Sequence, residues 1–130
     1  MGMKRKTTRT FTKAELRIMR MLWERGSASV AELLAALPPP PLAYTTILTV
    51  LRVLEEKGAV THEERGRAHV YRALVAETDA ASSAIGDVVT SFFDNSKMAL
   101  AVRLLSEARP SSDELSRIKA FISEYEAKRK

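Results

Sequence analysis

Four consecutive prolines, Pro38 to Pro41, constrain this chain more than any other feature. No regular element runs through such a stretch, because each proline lacks a backbone N–H and holds φ near about −65°. Whatever precedes it and whatever follows it are separate elements, joined by a stiff connector. Before it, "SVAE", Ser29 to Glu32, has capping-box spacing. It predicts a short helix carrying Val30, Leu33, Leu34 and Leu37. After it, Ala43 to Gly58 reads as another helix. A proline-rich ligand for a partner domain is the other reading of the run, but it is short and lies between two helices.

Upstream, "TKAE", Thr12 to Glu15, is a second capping box. It opens a helix with Leu16, Ile18, Met19, Leu22 and Trp23 that stops at Gly26. Past Gly58 the period changes. Val60 and His62 alternate with their neighbours. Later, Ala68, Val70 and Arg72 alternate with His69 and Tyr71. Arg65-Gly66 lies between the two runs, the pattern of a β-hairpin with glycine in its turn. From Glu77 onward the pattern is helical, with a third capping box at Ser111 to Glu114. The expected organisation is a flexible basic arm at 1–10, a helix-helix-helix-hairpin unit at 11–75 and a helical region at 76–130.

The chain has 130 residues, enough for one domain or two very small ones. It has no cysteine, which removes disulfides and thiolate metal sites and fits a reducing cytoplasm. There is neither an apolar run long enough to span a membrane nor a secretory signal pattern. Residues 1–75 carry thirteen Lys and Arg against seven Glu, a net +6; residues 76–130 carry eight against nine acids, a net −1. A polyanion partner therefore belongs to the first half.

The helix at 43–58 explains why. At about 100° per residue, Ile47, Val50, Leu51 and Leu54 form one inward stripe. Thr45, Thr49, Arg52 and Glu56 lie opposite, and Tyr44 and Thr46 flank that outward face. A helix that enters a DNA major groove uses such residues near its N-terminus. Threonine offers a hydroxyl and a methyl, and arginine grips guanine by two hydrogen bonds. The hairpin tip adds Arg65 and Arg67 on either side of Gly66, suited to phosphate or minor-groove contact. Helix-helix-helix-hairpin is the winged helix-turn-helix order. The fold class expected is thus mainly α with a small β-hairpin wing: a winged helix-turn-helix followed by an α-helical dimerisation region. Double-stranded DNA is the expected partner.

Other chemistry finds little footing. His62-Glu63-Glu64 begins like a zinc HExxH motif, but Gly66 stands where the second histidine belongs. His62 and His69 can face each other across the hairpin, yet two histidines lack further ligands. No nucleophile elbow or glycine-rich phosphate loop is present. No cofactor, metal or enzymatic activity is expected. A protein-protein interaction module and a non-specific architectural DNA binder remain the alternative functions.

Two stretches, "YTTILTVLRVLEEKG" and "RGRAHVYRAL", with "AELRIMRMLWERGSASVAELLAAL" before them, closely resemble the penicillinase-repressor family (BlaI/MecI/CopY) of bacterial winged-helix repressors. The resemblance covers residues 11–75 well and the helical tail more loosely. It implies an N-terminal winged helix that reads an inverted-repeat operator, a C-terminal three-helix region that dimerises, and repression of resistance or stress genes. It carries Tyr44, Thr45, Thr46, Thr49 and Arg52 onto the recognition helix, and Arg65 and Arg67 onto the wing. The family's copper branch binds metal through C-terminal cysteines, which this chain lacks. Its β-lactam branch implies a membrane sensor-protease as partner. Here Asn95-Ser96 lies in the corresponding region but is followed by Lys97, a departure from the Asn-Phe cleavage pattern. Val53 is a second departure, at a position where many relatives have a basic residue.

The tail is too apolar for three short helices standing alone. A C2 homodimer is the expectation, with a self-complementary patch from Val88, Val89, Phe92, Phe93, Leu100, Leu104, Ile118, Phe121 and Ile122. Some of these residues can instead pack back within their own chain.

Overall fold

The computed structural model describes residues 11–129. The expected basic arm at 1–10 lies outside the described residues. The element order is α1 (Lys13–Arg25), β1 (Ala28–Ser29), α2 (Val30–Ala36), α3 (Tyr44–Glu56), β2 (Val60–Arg65), β3 (Ala68–Ala73), α4 (Glu77–Phe92), α5 (Lys97–Ala108) and α6 (Ser112–Arg129). Packing divides the chain into two units between Asp87 and Val88, inside α4.

Local hydrogen bonds set the helix starts. The Thr12 hydroxyl accepts the Glu15 N–H at 3.1 Å, and Glu15 Oε1 accepts the Thr12 N–H at 2.9 Å. Ser29 and Glu32 repeat this at the start of α2, and Ser111 and Glu114 at the start of α6. Gly26 closes α1 at φ 88°, where its N–H reaches Leu22 O at 2.8 Å. The tetraproline connector is held from α1: Arg17 Nη2 donates to Pro38 O and Pro40 O, both at 2.5 Å. Trp23 is half-buried and donates its indole N–H to Val75 O at 2.9 Å.

The core of the first unit gathers Ile18, Met19 and Leu22 of α1, Leu33 of α2, and Ile47, Leu51 and Leu54 of α3, all essentially inaccessible to water. Three helices thereby enclose one apolar centre, and the sheet closes its open side through Val60 and Tyr71. The sheet has three strands in the order β1-β3-β2, all antiparallel. In the hairpin, His62 pairs with Tyr71, Glu64 with His69 and Arg65 with Ala68. The loop is the two residues Gly66 and Arg67, and Gly66 has φ 61°, as the first position of a II′ turn demands. β1 pairs Ala28 with Tyr71 and Ser29 with Val70, so the wing is a hairpin plus a short third strand that the sequence did not announce.

In the second unit, neither α5 nor α6 has a buried residue. Phe92 is 80% and Phe121 67% exposed, and Val88, Leu104 and Ile122 are exposed as well. Phe93, Leu100 and Ile118 are half-buried. Val89 differs from the rest of the expected dimerisation patch. It is only 3% exposed within the single chain, so its side chain is already withdrawn from water. Among the described residues, no helix is long and apolar enough to cross a membrane.

Candidate nucleic-acid interface

Helix α3 forms the centre of the site. Its inward stripe packs in the core through Ile47, Leu51 and Leu54, while Val50 is half-buried. That anchoring turns Thr45, Thr49 and Arg52 outward, and all three are exposed, as are Tyr44 and Thr46. The start of α3 differs from those of α1, α2, α5 and α6. Its N-cap is Ala43, which has no side-chain cap, and its first turn has no acidic residue. Among the described residues, the N-terminal N–H groups of α3 thus have neither a side-chain cap nor an acid of their own first turn beside them, an arrangement a phosphate exploits.

The wing stands beside this helix. Arg65 and Arg67 are both exposed at its tip. Arg65 Nε lies 3.9 Å from Glu63 Oε1, a loose pair in water, and Arg67 has no ion pair among the described residues. Two open hollows separate α3 from the wing. One, of about 340 Å³, is bordered by Tyr44, Leu48, Arg67 and His69; the other, of about 420 Å³, by Leu48, Arg52, Glu55 and His62. The hollows bring Tyr44 and Arg52 of α3 and Arg67 of the wing together; Thr45, Thr46, Thr49 and Arg65 are exposed but border neither hollow. Val53, on the far flank of α3, is half-buried.

Leu48 and Glu55 carried no functional signal in the sequence. Leu48 lies between the buried stripe and the threonine face on the helical wheel, so periodicity alone gave it neither role. His62 and His69 do face each other: their rings stack with centroids 4.5 Å apart and planes 16° from parallel. His62 Nδ1 donates to Glu55 Oε1 at 2.9 Å, since an ionised carboxylate only accepts. This bond ties the wing to α3. His69 Nε2 lies 3.4 Å from Glu64 Oε2. Among the described residues, no group of three or more such side chains is placed to hold a metal ion. Beneath the histidines, burial raises the Tyr71 hydroxyl above its ordinary value, with smaller contributions from the nearby Glu55 and Tyr44.

Residues 11–124 match the family model described as penicillinase repressor. The chain belongs to the penicillinase repressor family. That is a family of DNA-binding transcriptional repressors. A penicillinase repressor of Bacillus licheniformis is 25% identical over 118 residues, which span 90% of this chain and 92% of that protein. The solution structure of the DNA-binding domain of the repressor BlaI is also similar. It aligns at a TM-score of 0.51 with 32% identity, covering 59% of this chain and 93% of that one. The winged-helix fold and the repressor family read from the sequence are thereby established.

Proposed function

We propose that this chain is a sequence-specific repressor that binds an inverted-repeat operator as a homodimer. The observation that carries the reading is the makeup of α3: an N-terminus without a side-chain cap, and an outward face of Thr45, Thr49 and Arg52 beside the basic wing. Thr45, Thr46, Thr49 and Arg52 read base edges, Tyr44 borders the entry of the helix into the groove, and Arg65 and Arg67 hold the phosphate backbone. Occlusion of polymerase at the operator is the simplest route from binding to repression.

Support for two copies comes from residues 88–129. An isolated helical unit that leaves Phe92, Phe121 and Ile122 in water keeps apolar surface that a second copy can cover. Two-fold symmetry then demands half-sites related by a dyad, spaced by whole helical turns. The regulon expected is one of β-lactam-resistance or stress type. The test is selection from random-sequence DNA at near-physiological salt, with sequencing of the bound pool. An enriched inverted repeat supports the proposal. Salt-dependent binding without an enriched motif makes the chain an architectural DNA binder, and no binding makes it a protein-interaction module on the same fold.

A further inference from the structure

Leu48 is the misfit on the outward side of α3. It follows Tyr44 by one turn and precedes Arg52 by one turn, and it is 38% exposed. Among the described residues of α3, Tyr44 and Leu48 are the large apolar side chains left exposed. Leu48 borders both hollows between α3 and the wing, on the edge of the outward face. Its neighbours on that surface are the hydroxyls of Thr45 and Thr49 and the guanidinium of Arg52. An aliphatic side chain there is apolar surface held in water until something apolar meets it.

The floor of a major groove offers few partners of that kind. Each base pair presents donors and acceptors, and the one apolar group is the C5 methyl of thymine. We infer that Leu48 reads a thymine methyl in each operator half-site; this inference rests on the assignment of α3 as the recognition helix. The preference works in two directions. A thymine methyl against Leu48 removes apolar surface from water on both sides. Cytosine has no methyl there, and its neighbouring C4 amino group, pressed against Leu48, loses its water and finds no acceptor, because leucine supplies none. Leu48 therefore selects against polar edges as well as for the methyl.

The test uses the full chain and the operator obtained by selection. Each thymine of a half-site is replaced in turn by deoxyuridine, which removes the methyl and leaves every hydrogen-bonding group. The expected result is one thymine whose replacement weakens wild-type binding by about fourfold, the worth of one buried methyl. Leu48→Ala binds the thymine operator more weakly and no longer distinguishes thymine from deoxyuridine at that position, whereas Leu48→Met retains the distinction. A thermal midpoint unchanged in Leu48→Ala shows that the fold is intact. The inference is overturned if no deoxyuridine replacement matters to the wild type, if Leu48→Ala keeps the full discrimination, or if the half-sites contain no thymine. In each of these cases operator binding itself survives. Failure to enrich any operator is a different result, and it overturns the repressor reading together with this one.

Discussion

Lys57 Nζ lies 2.7 Å from Glu15 Oε1, and this pair ties the C-terminal end of α3 to the first turn of α1. Glu15 is 5% exposed, and the same oxygen accepts the Thr12 N–H of the capping box. The ammonium also sits 5.8 Å from the centre of the Phe11 ring. One carboxylate thus starts α1 and anchors α3, the proposed recognition helix.

Removal of Lys57 leaves a buried carboxylate with less compensation. Lys57→Met is expected to cost about 1–3 kcal/mol of stability, the usual penalty for an acceptor left short of partners. Glu15→Ala should cost more, because it removes the reciprocal cap as well. Urea unfolding midpoints check both, and midpoints equal to wild type would show that the pair is incidental.

Arg52 and the wing arginines are expected to fail in different ways. Arg52→Ala should lose about 1–3 kcal/mol on the selected operator and relax the preference at one base pair. Arg65→Ala and Arg67→Ala should weaken binding to all DNA and lower the slope of log K against log salt by about 0.9 each. Fluorescence anisotropy on specific and scrambled duplexes across a salt series separates the two. Equal weakening by Arg52→Ala on every duplex contradicts its base-reading role.

Tyr71 predicts an alkaline limit to stability. Burial first, and then Glu55 and Tyr44, raise its hydroxyl above the ordinary value of 10.0. The folded chain therefore keeps this proton at pH values where the unfolded chain has released it. The resulting contribution is fully present below the unfolded value and is lost as pH rises from there through the folded value. Tyr71→Phe has no proton to hold, so its stability should decline less between pH 9 and 11 than that of wild type, in the range around the reference value for tyrosine. Parallel melting curves across that range decide the matter, and identical declines remove Tyr71 as the cause.

The exposed aromatic residues of the second unit predict a self-association surface. Phe121→Glu places a charge where the proposed partner copy would bury an apolar ring. Sedimentation equilibrium should show a dimer for wild type and a shift of at least tenfold toward monomer for the variant, with helical content unchanged. A wild-type monomer at micromolar concentration would defeat the homodimer proposal.

Much of the architecture was legible because its causes are local. The capping boxes at Thr12, Ser29 and Ser111 each join residues three apart, and the structure contains all three. The α3 stripe follows from the helical repeat, which turns Ile47, Leu51 and Leu54 inward and Thr45, Thr49 and Arg52 outward. The Gly66 turn and the alternation beside it likewise place both wing arginines at one tip.

What remained illegible depends on residues far apart in the chain. Ala28 and Ser29 are a strand only because Tyr71 and Val70 pair with them, and two residues cannot display a period. Val89 belongs to a helical stripe of Val88, Val89 and Phe92, and periodicity cannot say which member its own chain buries. Leu48 sits at the seam between core and surface on the wheel, and the placement of the wing decides that it borders an open groove. The order of the helices and the hairpin, the faces of α3 and the basic character of the first half are written locally, because hydrogen-bond spacing, helical period and charge act within a few residues. The packing of distant segments decides that Glu15 meets Lys57, that Glu55 holds His62 and that Leu48 borders the wing. Each of those depends on which distant surface the packing of the core brings near.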